Sequence, residues 1–162
     1  MKLLVWLIDR IIKIIDVLTF TEEVLASASA LWLSPDGRHL AFATFNDTNV
    51  KDIEIPKYGS PGNMKDQYPK EIKIKYPKAG SPNPVVSMSV VDLDNWSSEL
   101  VNLEPPTDIV GTDCVLYTVN WRTNHQVTVT WTNRVQNKAQ IVLYDLRASG
   151  FWNAGWTVST CD

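Results

Sequence analysis

The chain has 162 residues, 44% of them hydrophobic and 20% charged, which fits a single globular domain able to bury a core. Its net charge is −3 and its Lys and Arg are scattered rather than striped, so it offers no basic field to a nucleic-acid backbone. The two cysteines, Cys114 and Cys161, build neither a disulfide-dense scaffold nor a Cys-x-x-Cys zinc site, and form one bridge or none.

Apolar residues at positions 4, 7, 8, 11, 12, 15 and 18, opposite Asp9, Lys13 and Asp16, predict an amphipathic helix over residues 1–18. The unbroken apolar run, Leu3 to Ile8, is too short for a signal-peptide core or a membrane span. The helix is expected to pack on its own domain, or to meet a membrane surface or a partner; its acidic residues weigh against anionic lipid. Two adjacent carboxylates follow, Glu22 and Glu23, which read in isolation as a solvated helix start.

After residue 30 the pattern changes to short β-type runs separated by turns. "LWLSPDGRHLAFATF" predicts two strands around Ser34-Pro35-Asp36-Gly37, where proline presets φ and glycine accepts a positive φ. "WRTNHQVTVTW", Trp121 to Trp131, has the same shape, and its leading Trp121 stands 89 residues after Trp32. "MSVVDLDN" and "IVLYDLRA" also overlay, with Asp145 lying 53 residues after Asp92. A repeat of roughly 40 to 50 residues built from four short strands has the spacing of a β-propeller blade. The expected fold is therefore all-β: a partial β-propeller of about two to three four-stranded antiparallel blades, preceded by one amphipathic N-terminal helix. So few blades would leave strand edges open.

An insertion separates the echoes, at about residues 53–84. Six prolines, three glycines and several lysines bracket one alternating piece, "KEIKIKY", with Ile72 and Ile74 facing one side and Lys73 and Lys75 the other. The first unit carries about 36 more residues than the second, and long insertions in repeat proteins project from one face, as contact surfaces or as tolerated loops.

The ordered series Glu22-Glu23-Val24, Ala30-Leu31-Trp32, Phe45-Asn46-Asp47-Thr48 and Tyr76-Pro77-Lys78-Ala79-Gly80, followed by "VTWTNRVQN", resembles the N-terminal propeller of the dipeptidyl peptidase IV family in the prolyl oligopeptidase clan. The likeness runs from about Phe20 to Gly150. It implies that residues 19–162 are a partial propeller domain, that residues 1–18 do not match, and that the insertion is an extended arm. It further implies that Glu22 and Glu23 hold the free α-ammonium of a substrate peptide, since a cation between two carboxylates relieves their repulsion with charge-assisted hydrogen bonds. Residues of about Ile53 to Pro77 would correspond to the arm by which subunits of the family pair as homodimers. Where relatives often carry a disulfide, this chain has Val142 and Ala154.

Members of the family cleave with a serine on a Gly-x-Ser-x-Gly elbow, followed by Asp and His, in an α/β-hydrolase domain. No Gly-x-Ser-x-Gly occurs here, and the two histidines, His39 and His125, fall at turns, where they are expected to be solvated. No catalytic residue, cofactor or metal site is expected in this chain. The implied role is the propeller portion of a serine-type dipeptidyl peptidase, a hydrolase with aminopeptidase-like exopeptidase action that removes N-terminal X-Pro or X-Ala dipeptides. Its partners would be a peptide N-terminus and a second subunit, with no nucleic acid and no metal. The alternatives are a non-catalytic, dipeptidyl-peptidase-like auxiliary protein and a truncated product without activity. A parent of this kind is a type II plasma-membrane or secreted glycoprotein, while the chain shows no signal peptide or transmembrane segment. Asn46 and Asn95 head the glycosylation sequons Asn46-Asp47-Thr48 and Asn95-Trp96-Ser97.

Overall fold

The computed structural model describes residues 29–95, 100–146 and 152–157, the last six as backbone only. The helix expected over residues 1–18 lies outside them. The described residues form two four-stranded antiparallel sheets and one two-stranded hairpin.

The first sheet contains β1 (Leu31–Leu33), β2 (His39–Asn46), β5 (Val85–Asp92) and β6 (Val101–Leu103), hydrogen-bonded in that order. Its first turn is the expected one. Gly37 has φ +75° and donates its N–H to Ser34 O at 2.9 Å, and Ser34 N closes onto His39 O at 2.8 Å. The buried Ser34 hydroxyl accepts from His39 N at 2.9 Å and donates to Asp36 Oδ1 at 2.6 Å. That hydroxyl is the main reason the exposed Asp36 carboxyl titrates below the usual range.

The second sheet contains β7 (Cys114–Thr123), β8 (Gln126–Asn133), β9 (Ala139–Leu146) and β10 (Trp152–Thr157). It is built like the first. His39 pairs Asp92 and Gln126 pairs Asp145 in register; Leu93 N reaches Arg38 O at 2.7 Å, and Leu146 N reaches His125 O at 2.8 Å. The two Asp-Leu steps are thus structural equivalents, each ending the third strand of its sheet. The tryptophan echo is offset by one place. Trp32 pairs Ala41, but Trp121 pairs Val127, the register position of Leu33 opposite Leu40. A bulge between Trp121 and Thr123 causes the shift, because it leaves Arg122 without a partner in the ladder.

Alternation buries Ala41, Ala43 and Phe45 of β2 with Val86, Met88 and Val90 of β5, and Val127, Val129 and Trp131 of β8 with Val142 and Tyr144 of β9. These side chains belong to one continuous core spanning both sheets. Each full burial of such an apolar side chain contributes about 1.5–3 kcal/mol. A one-turn helix, α1 (Thr107–Val110), follows Pro105 and Pro106 between the sheets and tucks Val110 into that core.

Between β2 and β5 the chain leaves the first sheet and returns, forming the hairpin of β3 (Asp52–Lys57) and β4 (Lys70–Lys75). The insertion therefore contains a separate two-stranded hairpin, the arm, placed between the second and third strands of one sheet.

Candidate functional site

Glu22 and Glu23, the expected substrate-amine anchors, lie outside the described residues. The run that follows them enters the first sheet at its edge: Ala30 is fully buried and its carbonyl accepts from Ala43 N at 3.0 Å. Asn46 ends β2 on the surface. Its Oδ1 accepts from Thr48 N at 3.1 Å and from Thr48 Oγ1 at 2.6 Å, so two members of the sequon are locked in one turn. Asn95 is exposed and its backbone N–H donates to Asp92 Oδ1 at 3.3 Å; Trp96 and Ser97 fall outside the described residues.

The arm has two unlike faces. On one, Lys73 Nζ pairs with Glu54 Oε1 at 3.1 Å and Lys75 Nζ with Asp52 Oδ1 at 3.3 Å. On the other, Ile53 lies opposite Ile74 and Ile55 opposite Ile72, as the alternation of "KEIKIKY" requires. That apolar stripe ends in the rung of Lys57 and Lys70. Beyond it a cavity of about 380 Å³ opens, lined by this lysine pair with Tyr58, Gly59, Ser60 and Tyr68. A short 3₁₀ turn, Met64–Asp66, is capped by Asn63, whose Oδ1 accepts from Lys65 N at 3.1 Å.

The base of the arm is closed by its own bonds and touches the turn after β8. Lys75 Nζ donates to Val50 O at 2.9 Å, and Tyr76 N donates to Lys51 O at 3.0 Å. Arg134, in the turn after β8, pairs with Asp113 Oδ2 at 2.9 Å through Nη1 and donates to Ser81 O through Nη2. This contact joins two of the motifs that carry the family resemblance, "YPKAGSPNP" and "VTWTNRVQN", which the sequence gives no reason to connect.

The two histidines do not behave alike. His125 is exposed, as expected, but His39 is 5% exposed, a departure from the expectation of a solvated turn residue. As the first residue of β2, His39 faces the second sheet. Its ring lies 5.7 Å from that of His125, edge to face, and 6.1 Å from that of Trp121. Trp121 Nε1 in turn donates to Trp32 O at 3.0 Å. Among the described residues, no three His, Cys, Asp or Glu side chains converge as metal ligands would. Cys114 is a buried free thiol, and burial pushes its pKa up, away from reactivity.

A family model described as the dipeptidyl peptidase IV (DPP IV) N-terminal region matches residues 19–160. Venom dipeptidyl peptidase 4 of Apis mellifera is 67% identical over 130 residues, covering 80% of this chain and 17% of that protein. Dipeptidyl peptidase 4 of Sus scrofa is 39% identical over 138 residues, covering 82% of this chain and 18% of that protein. The chain thus spans less than a fifth of the length of these relatives. The crystal structure of Porphyromonas gingivalis dipeptidyl peptidase 4 superposes on 85% of this chain and 18% of its own, with a TM-score of 0.67 and 21% identity, a likeness of fold.

Proposed function

Because this chain belongs to the dipeptidyl peptidase IV N-terminal region family, we propose that it is the propeller portion of a serine-type dipeptidyl peptidase that removes N-terminal X-Pro or X-Ala dipeptides. The family match across residues 19–160 carries the reading. In it, Glu22 and Glu23 hold the substrate α-ammonium, and the β3–β4 arm joins two subunits into a homodimer. The exposed, self-contained hairpin supports the arm's role, since an element so poor in contacts with its own sheets has surface to give to a neighbour. The relatives named for venom favour a secreted parent over a membrane-anchored one. Among the described residues no helix is long and apolar enough to cross a membrane. In a secreted parent, Asn46 and Asn95 are the glycan acceptors.

The test begins with the transcript that carries this reading frame, sequenced through both ends, and the protein it encodes. A following Gly-x-Ser-x-Gly domain with Asp and His is expected. That protein should release dipeptides from peptides with a free amine and leave their N-acetylated forms intact. Glu22→Gln and Glu23→Gln should each lower kcat/KM by about 10²-fold or more, the loss for removing a charged substrate contact. Equal cleavage of blocked and free peptides would sink the amine-anchor role. A parent with no hydrolase domain would remove the enzymatic reading altogether.

A further inference from the structure

The two histidines stand 86 residues apart in the sequence, His39 on β2 of the first sheet and His125 in the β7–β8 turn of the second. The fold nevertheless brings their rings to 5.7 Å, edge to face at 77°. Each backbone is fixed from two directions. His39 donates its N–H to the buried Ser34 hydroxyl at 2.9 Å, and its carbonyl accepts from Ser34 N at 2.8 Å. His125 donates its N–H to Thr123 Oγ1 at 3.3 Å, and its carbonyl accepts from Leu146 N at 2.8 Å. Trp121, anchored by its own bond to Trp32 O, lies beside the His39 ring at 6.1 Å. The seam between the sheets thus presents one buried imidazole and one exposed imidazole, both carried on pinned backbone.

Packing at the start of β2 asks only for an apolar side chain, whereas an imidazole brings ring nitrogens that burial penalises unless they are used. Neutral imidazole is the commonest protein ligand of transition metals and suits zinc, copper and nickel. Two imidazoles bound to one tetrahedral ion, each nitrogen about 2.0–2.1 Å from it, have ring centres about 5 Å apart. The spacing at the seam comes within about 1 Å of that, a difference that rotation of the exposed His125 side chain closes. The Asp36 carboxylate, which accepts from the Ser34 hydroxyl, lies close enough to His39 to feel its charge, and so favours a cation there. We propose that His39 and His125 together ligate one divalent transition-metal ion of the zinc, copper and nickel class, with water completing its coordination, and that the ion staples the first sheet to the second. Two protein ligands make an exchangeable site, weaker than a four-ligand structural zinc centre, and the ion enters from the side of His125. Because it bridges residues of different sheets, its binding adds to the stability of the folded chain. Calcium and magnesium, which take oxygen ligands, do not substitute for it. The site uses neither Glu22 and Glu23 nor the arm, so it stands apart from the peptidase reading.

Zinc chloride is the probe, added to the chelator-treated chain and followed by titration calorimetry and thermal melting. One ion should bind per chain, and zinc at about a hundredfold excess over its dissociation constant should raise Tm by about 5 °C or more. Calcium or magnesium at the same concentration should leave Tm where it was. Lowering the pH from about 7.5 to about 5.5 should weaken zinc binding by at least about tenfold, since an imidazole must be deprotonated to ligate. His125→Gln changes an exposed turn residue, so the variant should fold as wild type does and lose the zinc-induced rise; His39→Gln should lose it too. If His39→Gln fails to fold, His125→Gln alone decides. The proposal is overturned if zinc leaves the wild-type Tm unmoved, if calcium or magnesium matches zinc, or if His125→Gln keeps wild-type zinc affinity, which would put the ion on other residues.

Discussion

Two turns of this molecule have the same hydrogen bonds and different amino acids. Ser34 to His39 closes with Gly37 N on Ser34 O and Ser34 N on His39 O; Asn133 to Lys138 closes with Gln136 N on Asn133 O at 2.9 Å and Asn133 N on Lys138 O at 3.0 Å. Gln136 therefore occupies the place of Gly37, and it takes the same left-handed backbone, at φ +59°. A side chain there costs about 1 kcal/mol, because Cβ crowds the following carbonyl oxygen. Asn133 offsets that cost, since its Oδ1 accepts from both Asn137 N at 3.1 Å and Lys138 N at 3.0 Å, fixing the loop from within. Gln136→Gly should raise stability by about 0.5–1 kcal/mol, less whatever the glycine gains as unfolded-state entropy. Thermal melting of the chain reads this directly, and a fall in Tm would mean that the Gln136 side chain makes a contribution the turn geometry does not account for. The first turn was legible in the sequence because Pro and Gly state their own dihedrals. The second was not, since nothing in Arg134-Val135-Gln136 demands a positive φ and the constraint comes from an asparagine three residues earlier.

At the scale of the element, the arm separates ion pairs that look alike in sequence. Lys73 and Lys75 occupy the same face of β4 and each meets one carboxylate of β3. Lys73 is largely exposed, and its pair with Glu54 is of the surface kind, screened by water and salt. Lys75 also donates to Val50 O, a carbonyl at the point where the arm leaves the first sheet. Removing its amine strands that acceptor, so Lys75→Ala should cost about 1 kcal/mol locally and Lys73→Ala should be nearly silent. Amide exchange at Tyr76, whose N–H bonds Lys51 O beside this contact, is the sensitive probe. Its protection should drop in Lys75→Ala and persist in Lys73→Ala; equal protection in both would show that the base of the arm is held by its backbone alone. The alternation of Ile72 and Ile74 made β4 readable. Its partner β3 was not, because Pro56 breaks the strand signature and the twelve residues between the strands fix no turn type.

Over the whole molecule, the Asp-Leu steps announced the repeat because each closes the third strand with the same backbone bond, whereas the contacts between the repeats left no local trace. His39, read as a solvated turn residue, is buried because it stands at the seam, and a seam is made by residues far apart in the chain. Tyr144 is the strongest case. From β9 of the second sheet its hydroxyl donates to Glu104 O, just past the first sheet, at 2.6 Å, and accepts from the fully buried Trp131 Nε1 at 3.3 Å. Burial pushes the Tyr144 hydroxyl up to about 12, so it keeps the proton it donates throughout the neutral range. Tyr144→Phe keeps the ring and the packing but deprives both Glu104 O and Trp131 Nε1 of their partner, a loss of about 1–3 kcal/mol when such groups stay buried. Because one core spans both sheets, the two should unfold as a unit. Urea unfolding followed by tryptophan fluorescence and by far-ultraviolet circular dichroism should therefore give coincident curves in the wild type and in Tyr144→Phe, with the variant's midpoint lower and its slope unchanged. Two separated transitions in the variant would mean that this hydroxyl, rather than the shared apolar core, couples the sheets.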